Sequence, residues 1–295
     1  MGQTPAKLTD ISTGDKFKLF SYETVDNYEI ESVKVTTCTF ESVGLLGARI
    51  SDGAISHSLF SNCYLRNAKF IRMDLTGTRF SNCNLRHVSF EGCKLWYVDF
   101  KGCVIDYDKA IEAAPTNEPY LRKHFLRSLR LNAESMGDPR AANKLLLLEM
   151  EADKHEQLNI FLVNSRHYRD RFVFTDRLRA FIGWSLHCVE SLVWGYGVRL
   201  QRLVFTAVSL VVICGSILYF SGLPFFPPEK IATGETRSLE FGECLYVSAV
   251  TFSTLGFGDF TPATFAARWM MTFLSFSGAV FLGLFTACAY RRIQR

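Results

Sequence analysis

Six consecutive residues near the C-terminal end of the chain, 254–259 with the sequence TLGFGD, have the composition of a site for a dehydrated cation. Successive backbone carbonyls point the same way only if right-handed and left-handed conformations alternate, and glycine adopts the left-handed one at little cost. Gly256 and Gly258 occupy alternate positions, as that geometry requires. Carbonyl oxygens arranged in this way replace the hydration shell of an ion, with the Thr254 hydroxyl below them. We therefore expect the ion-binding residues to be Thr254, Leu255, Gly256, Phe257 and Gly258.

The flanking segments place this loop in a membrane. Residues 203–223 and 269–290 are uncharged runs, each long enough at about 1.5 Å per residue to cross a hydrocarbon core of roughly 30 Å. Residues 241–253 suffice for only about half a bilayer, which is typical of a re-entrant helix buried in protein beside a water-filled cavity. We predict an outer helix over 203–223, a pore helix over 241–253, a filter over 254–259 and an inner helix over 266–290.

The hexapeptide resembles the selectivity filter of two-transmembrane potassium channels, usually written TVGYGD, with Leu255 in place of valine and Phe257 in place of tyrosine. The resemblance implies potassium ions bound at residues 254–257. It also implies a homotetramer, because one loop supplies only a quarter of an ion cage. Two further residues are expected to support the filter: Thr251 at the foot of the pore helix and Asp259 at the outer end.

Two glycines of the inner helix are candidates for a gating hinge. Gly278 lies 22 residues after Gly256, near the place where the resemblance implies a hinge, and Gly283 is a second candidate. Close helix packing through a small residue is the alternative role for both. The resemblance places a cytosolic constriction over residues 281–289. Because no arginine-rich voltage-sensing helix is present in the sequence, we do not expect strong intrinsic voltage gating.

Phe257 departs from the usual filter because it lacks the phenol hydroxyl that commonly bonds to an aromatic residue of the pore helix. Tyr246 and Val247 provide no tryptophan at that place. A loosely braced filter leaks sodium or inactivates, so a weakly selective cation channel is one alternative function. Another alternative is a membrane-anchored scaffold, in which the N-terminal region binds a protein and the pore segment serves as the anchor.

The arginines indicate the orientation in the cell membrane. Arg199 and Arg202 precede the first span, and Arg291, Arg292 and Arg295 follow the second. Lysine and arginine are enriched on the cytoplasmic side, so both termini of this multi-pass protein are expected to be cytoplasmic. The segment 224–268 between the spans carries slightly more acidic than basic residues, which favours cations at the outer mouth.

The N-terminal third has a different pattern, a large apolar residue at every fifth position from Val35 to Ile105. Neither a helix nor an ordinary strand has that period. The pattern resembles the pentapeptide-repeat family, which implies a right-handed quadrilateral β-helix with four pentapeptides per coil. Residues 20 apart then stack at about 4.8 Å. The 15 repeats exceed the three or so units that a repeat array needs to bury a core.

The charge of this repeat argues against a nucleic-acid-related role. Between residues 31 and 105 there are nine basic and six acidic side chains, the wrong sign for mimicry of duplex DNA. We expect no nucleic-acid partner, and the protein partner of the repeat, if it has one, is unknown. The nine cysteines contain no CxxC pair, and five of them fall in the small-residue slot of the repeat, as core thiols would. No catalytic set or phosphate-binding loop is evident, so we expect no enzyme and no organic cofactor.

Predicted helices connect the five-residue repeat to the apolar pore segment. Residues 116–131 and 139–159 predict an antiparallel helical hairpin, with Thr116 or Asn117 as the cap of its first helix. An arginine-rich segment then leads into a segment that contains tryptophans, an arrangement typical of a helix in the cytoplasmic membrane interface. A third transmembrane span over residues 180–198 is the alternative. Anionic lipid is expected at five arginines: Arg166, Arg169, Arg171, Arg177 and Arg179.

The predicted fold class is therefore mixed: an N-terminal β-helix, a helical linker and a C-terminal all-α pore-loop domain with two transmembrane helices. The predicted boundaries are 1–30 for a lead-in or cap, 31–110 for the β-helix, 111–180 for the cytosolic helical linker, 181–202 for the interfacial helix and turn, and 203–295 for the pore domain.

Overall fold

The structure is a computed structural model that describes residues 11–162, 173–227 and 235–293, with side chains as far as Tyr290. The chain divides into two compact units, Met1–Ser185 and Leu186–Arg295. The first contains a solenoid of short strands and a helical hairpin. The second contains the apolar helices and the loop with the sequence TLGFGD.

The solenoid consists of parallel strands that pair with the coil 20 residues further on, as in Phe20↔Phe40 and Ile30↔Ile50. One side is formed by β1 (Leu19–Ser21), β4 (Thr39–Glu41), β7 (Leu59–Ser61), β9 (Arg79–Ser81) and β12 (Asp99–Lys101). A second side is formed by β2 (Glu29–Glu31), β5 (Arg49–Ser51), β8 (Lys69–Ile71) and β11 (Ser89–Glu91). Shorter pairs and single bridges form the other two sides: β3 (Lys34–Thr36) with β6 (Ala54–Ser56), and β10 (Asn84–Leu85) with β13 (Val104–Ile105). The β-solenoid predicted from the five-residue period is confirmed.

Aromatic rings and thiols fill the core in ladders. The rings of Phe20, Phe40, Phe60, Phe80 and Phe100 stack with centroids between 4.4 and 5.5 Å apart. A second ladder consists of Cys63, Cys83 and Cys103. Each of these thiols donates a hydrogen bond to a carbonyl oxygen of the preceding coil, at 3.2 to 3.4 Å. Burial also raises the pKa of the neighbouring Cys93 thiol to about 11. Cys63, Cys83 and Cys103 are buried, and the Cys93 thiol is protonated at neutral pH.

The first coil starts earlier than the sequence analysis placed it. Strand β1 and most of β2 lie within residues 1–30, the segment predicted to be a lead-in or cap. Phe20, Val25 and Ile30 continue the five-residue period that we counted only from Val35. The signal was present in the sequence, but the polar residues between these positions are less regular than in later coils.

Each corner of the solenoid contains a backbone position with positive φ, two residues after the core residue. The non-glycine residues at this position have φ between +50° and +60°. Asparagine tolerates the left-handed region and recurs here, as Asn62, Asn67 and Asn82. Thr37 has the same conformation with φ +57°, although its branched Cβ makes it costly there.

Helix α2 (Pro119–Ser135) covers the C-terminal end of the solenoid, after the short helix α1 (Tyr107–Glu112). The Phe125 ring packs edge-on against Phe100, the last ring of the aromatic ladder. The Ser128 hydroxyl accepts a hydrogen bond from the Phe100 N–H at 2.7 Å, in place of a further coil. The segment predicted as a linker therefore acts as a cap on the solenoid.

Helix α3 (Pro139–Leu162) completes the predicted hairpin, and ion pairs tie it to α2. Lys123 lies 2.9 Å from Asp153 and 2.8 Å from Glu156. The expected cap of α2 is wrong: its N-cap residue is Glu118, which makes no side-chain cap bond, so neither Thr116 nor Asn117 caps the helix. Pro119 fixes the first turn instead, because proline suits that position.

The rest of the described chain contains four helices and a small sheet. The helices are α4 (Phe174–Val193), α5 (Leu200–Ser221), α6 (Phe241–Phe252) and α7 (Phe265–Ile293). The boundary predicted at 180/181 falls inside α4. Helix α5 begins three residues before its predicted start and ends at Gly222, which has φ +60°. Among the described helices, α5 and the segment Phe265–Tyr290 of α7 are long and apolar enough to cross a membrane.

Candidate ion-conducting site

Helix α6 positions the loop, and its N-terminus is strongly fixed. Glu240 and Glu243 form a capping box, in which each side chain accepts a hydrogen bond from the backbone of the other residue. Such a box satisfies N–H groups that the first turn of a helix leaves free. Arg237 holds the same Glu243 carboxylate with two nitrogens, at 2.6 and 2.7 Å. The start of the pore helix is thus tied to the segment before it.

The loop after α6 has the alternating backbone that the sequence predicts. Thr254, Gly256 and Gly258 have φ of +58°, +55° and +76°, whereas Leu255 and Phe257, which lie between them, do not have positive φ. This alternation is what turns consecutive carbonyls to one side. Thr254 adopts the left-handed region despite its branched side chain, and strained residues of this kind cluster at functional sites.

The carbonyl oxygens of this loop are available as ligands. Within the described part of the chain, no hydrogen bond uses the carbonyl oxygens of Thr254, Leu255, Gly256 or Phe257. Upstream, the Leu255 N–H donates to the Val250 carbonyl at 3.2 Å, which continues the hydrogen bonding of α6 into the loop. The Thr254 hydroxyl, expected as the lowest ligand, donates to the Ser253 carbonyl at 2.7 Å and keeps its lone pairs.

Electrostatics at the base of the loop favour a cation. The loop begins where α6 ends, and the C-terminal end of a helix carries roughly half a negative charge. Thr251 lies in the last turn of α6, where its hydroxyl contacts the Met271 sulfur of α7 at 3.4 Å. The structure thus places Thr251, expected to support the filter, in contact with α7.

Tyr246 braces the outer end of the loop, a contact that the sequence analysis missed. Its hydroxyl lies close enough to the Asp259 carboxylate for the two groups to interact electrostatically. Its ring packs edge-on against Phe260, with centroids 6.3 Å apart. A hydroxyl of α6 thus faces Asp259, two residues beyond Phe257, from the position where we noted only the absence of tryptophan.

A small antiparallel sheet also holds the outer mouth. Its central strand β14 (Pro224–Phe226) pairs with β15 (Arg237–Ser238) before the pore helix and with β16 (Thr261–Pro262) after the loop. Phe225, at its centre, is buried in the core of this unit. One strand following α5 therefore connects the entrance of α6 to the exit of the loop. Isolated strands of two or three residues have no repeating pattern, so these three could not be predicted from the sequence.

The two candidate hinge glycines differ in their surroundings. At Gly278, a Cβ atom would overlap the Phe252 carbonyl oxygen and lie 2.7 Å from its carbonyl carbon. At Gly283, nothing lies within 4 Å of that position. Helix α7 is continuous through both residues. The sequence could not distinguish them, because the difference depends on the neighbouring helix.

The predicted lipid-contact arginines are only partly within the structure. Arg166, Arg169 and Arg171 lie outside the described residues. Arg177 donates to the Phe161 carbonyl at 3.3 Å, and Arg179 is exposed. Among the described residues, no cluster of side chains suited to a metal ion is found.

Comparisons with known proteins match both halves of the chain. Residues 33–109 match the family model described as a pentapeptide repeat region, and residues 206–295 match the model described as an ion channel. Both resemblances drawn from the sequence are confirmed. These families are non-enzymatic, and an ion channel implies permeant ions.

Two solved structures match about a third of the chain. One is the pentapeptide repeat protein Rfr23 from the cyanobacterium Cyanothece 51142, at 17% identity, covering 32% of this chain and 86% of that chain with a TM-score of 0.15. The other is QnrB1, described as a plasmid-mediated fluoroquinolone resistance protein, at 13% identity, covering 35% and 91% with a TM-score of 0.13. No curated protein matches the chain significantly.

Proposed function

We propose that this chain, which joins a pentapeptide-repeat region to an ion-channel domain, forms a homotetrameric potassium-selective channel. The observation that carries the proposal is the alternating backbone of residues 254–258, with its unpaired carbonyls, at the C-terminal end of a fixed helix. Four such loops around an axis enclose an ion with carbonyl oxygens. The ligands are Thr254, Leu255, Gly256 and Phe257, with Gly258 allowing the last turn of the loop.

Potassium selectivity depends on how firmly the loop is held. The Tyr246–Asp259 contact and the sheet β14–β16 both act at its outer end, where Phe257 itself provides no hydroxyl. These contacts favour a selective filter over a leaky one. The weakly selective cation channel is the result expected if they do not compensate.

The proposed topology places α5 and α7 across the cell membrane, with both termini in the cytoplasm. Helix α4 then lies in the cytoplasmic interface, because one stripe along it is apolar and exposed: Phe174, Leu178, Ile182, Leu186 and Val189. Such a stripe beside basic residues is typical of a helix on anionic lipid. Arg177 and Arg179 are the described candidates for lipid contact. The repeat region serves assembly or regulation.

The test is ion flux from the purified full-length protein in liposomes, with reversal potentials measured in mixed potassium and sodium. The wild type is expected to reverse near the potassium potential. Gly256→Ala places a side chain at φ +55° and is expected to abolish selective flux. Gly242→Ala is the matched control, because Gly242 lies in α6 with nothing within 4 Å of its Cβ position.

Two outcomes contradict the proposal. A wild-type permeability ratio near one replaces it with a weakly selective cation channel. No flux above that of empty liposomes, from protein that remains folded in the bilayer, favours the membrane-anchored scaffold.

A further inference from the structure

We infer that Gly278 is a positioning residue for the filter: it allows the inner helix α7 to contact the backbone of the last turn of α6. This inference rests on the proposed function in one respect, since it assigns the position of the ion path to that contact. It also implies that α7 bends at a residue other than Gly278. Gly278 is then a fixed point, not a hinge.

The contact at Gly278 is with backbone atoms, which cannot rotate away. A Cβ there would overlap the Phe252 carbonyl oxygen, and it would lie 3.1 Å from the Phe252 Cα. Gly215 of α5 makes a similar contact on another side of α6, but there the nearest atom is the end of the flexible Leu245 side chain, at 2.9 Å. Of these two glycines, Gly278 has the more rigid neighbour.

Further side chains of α7 contact the same turn of α6. The Phe281 ring packs against the Phe252 ring, with centroids 5.5 Å apart, and Met271 contacts Thr251. Residues 271, 278 and 281 share one face of a helix, because they are separated by seven and three positions. Gly278 lies on this face, against the backbone of Phe252.

Movement of Phe252 is transmitted directly to the ion ligands. Phe252 is the last residue of α6, and Thr254 follows two residues later. The N–H groups of Thr254 and Leu255 donate to the carbonyls of Thr251 and Val250, at 3.1 and 3.2 Å. The last turn of α6 and the first residues of the filter are therefore one hydrogen-bonded body. Separating α7 from Phe252 displaces Thr254 with it.

Gly283 has the opposite properties. Nothing lies within 4 Å of its Cβ position, so its neighbours do not hold it in place. An apolar cavity of about 320 Å³ is lined by Phe252, Gly278 and Phe281, and also by Leu282 and Phe285 on either side of Gly283 in sequence. The difference between the two glycines therefore lies in what a side chain would meet: open space at residue 283 and the Phe252 backbone at residue 278.

The experiment compares Gly278→Ala with Gly283→Ala in the full-length protein. In liposomes, Gly278→Ala is expected to lower the potassium-to-sodium permeability ratio by about threefold or more, because the carbonyl cage is displaced. Gly283→Ala is expected to keep the wild-type ratio while changing open probability. A wild-type ratio in Gly278→Ala, with altered opening, makes Gly278 the hinge and overturns the inference.

A second measurement does not depend on conduction. In detergent, Gly278→Ala is expected to lower the melting temperature by roughly 3 to 10 °C, the shift that overpacking gives in a chain of this size, and Gly283→Ala to leave it unchanged. If the wild type conducts no potassium, the proposed function fails while this comparison still decides the contact. Equal melting temperatures for the two variants overturn it.

Discussion

The cap on the solenoid can be tested at Asn132, one turn beyond Ser128 on α2. Its side chain is 1% exposed and makes three hydrogen bonds. The Oδ1 atom accepts from the Cys103 N–H at 2.8 Å, and Nδ2 donates to the Cys103 carbonyl at 2.8 Å and to the Tyr107 hydroxyl at 3.0 Å. Asn132 thus pairs both backbone groups of Cys103 at the open end of the solenoid. Asn132→Ala removes both partners at once.

The expected loss of stability follows from the two backbone groups of Cys103 that are left without hydrogen-bond partners. Each buried backbone group without a partner costs about 1 to 3 kcal/mol, so the pair costs about 2 to 6 kcal/mol. Alanine returns roughly 0.5 kcal/mol through its better helix propensity. The expected loss is therefore about 2 to 5 kcal/mol of local stability. At about 1.4 kcal/mol per tenfold, this corresponds to roughly a 30-fold to 3,000-fold larger open population at the cap.

Cys103 reports this opening directly, since its thiol is fully buried in the native state. The assay is the rate of thiol labelling at neutral pH, followed by mass spectrometry of the Cys103 peptide. Labelling through a fast local opening tracks the open population. Cys63 is an internal control two coils further from the cap, and Asn117→Ala is a matched control at an exposed asparagine.

Labelling of Cys103 should accelerate by at least about 30-fold in Asn132→Ala, with Cys63 unchanged. An acceleration below about threefold refutes the idea that the side chain substitutes for a further coil. Equal acceleration at Cys63 also refutes it, because the solenoid would then unfold as a whole rather than at its capped end.

The remaining predictions concern the filter brace and a solenoid corner. Tyr246→Phe removes the hydroxyl that faces Asp259, so potassium current should decline faster under sustained conduction. Tyr219→Phe, in the outer helix, should not change the decline. An unchanged decline in Tyr246→Phe contradicts the brace. Thr37→Asn should stabilise the solenoid by about 1 kcal/mol in thermal unfolding, because Thr37 is exposed with φ +57° and asparagine tolerates that conformation better. A lower melting temperature for Thr37→Asn would show that its side chain makes a stabilising contact.

Much of the solenoid was predictable, because its core is repetitive. Each large apolar residue lies at a multiple of five, and the strand register of 20 residues follows from four sides. The cap could not be predicted in the same way. Ser128 and Asn132 read as ordinary polar residues of an amphipathic helix, and only their contacts with residues 100 and 103 distinguish them. A side chain that replaces a strand has no periodicity of its own.

The pore domain shows the same division between local and non-local information. The alternating conformation of residues 254–258 is local, since the glycine spacing alone indicates it. The role of Gly278 depends on which atoms of α6 lie opposite, and the sequence contains two glycines that look equivalent. The structure separates them because one faces a carbonyl group and the other faces open space.

The stability of the candidate filter likewise depends on contacts between residues that are distant in the sequence. When residue 257 alone is compared with the tyrosine usual at this place, the loop is expected to lose a hydrogen bond. In the folded chain a different hydroxyl, that of Tyr246 in α6, lies near Asp259, two residues beyond Phe257. The following residues, 261 and 262, are then fixed in a sheet with the strand after α5. The outer end of the filter is thus held by side-chain and backbone contacts outside the hexapeptide, and its selectivity is better judged from these contacts than from residue 257 alone.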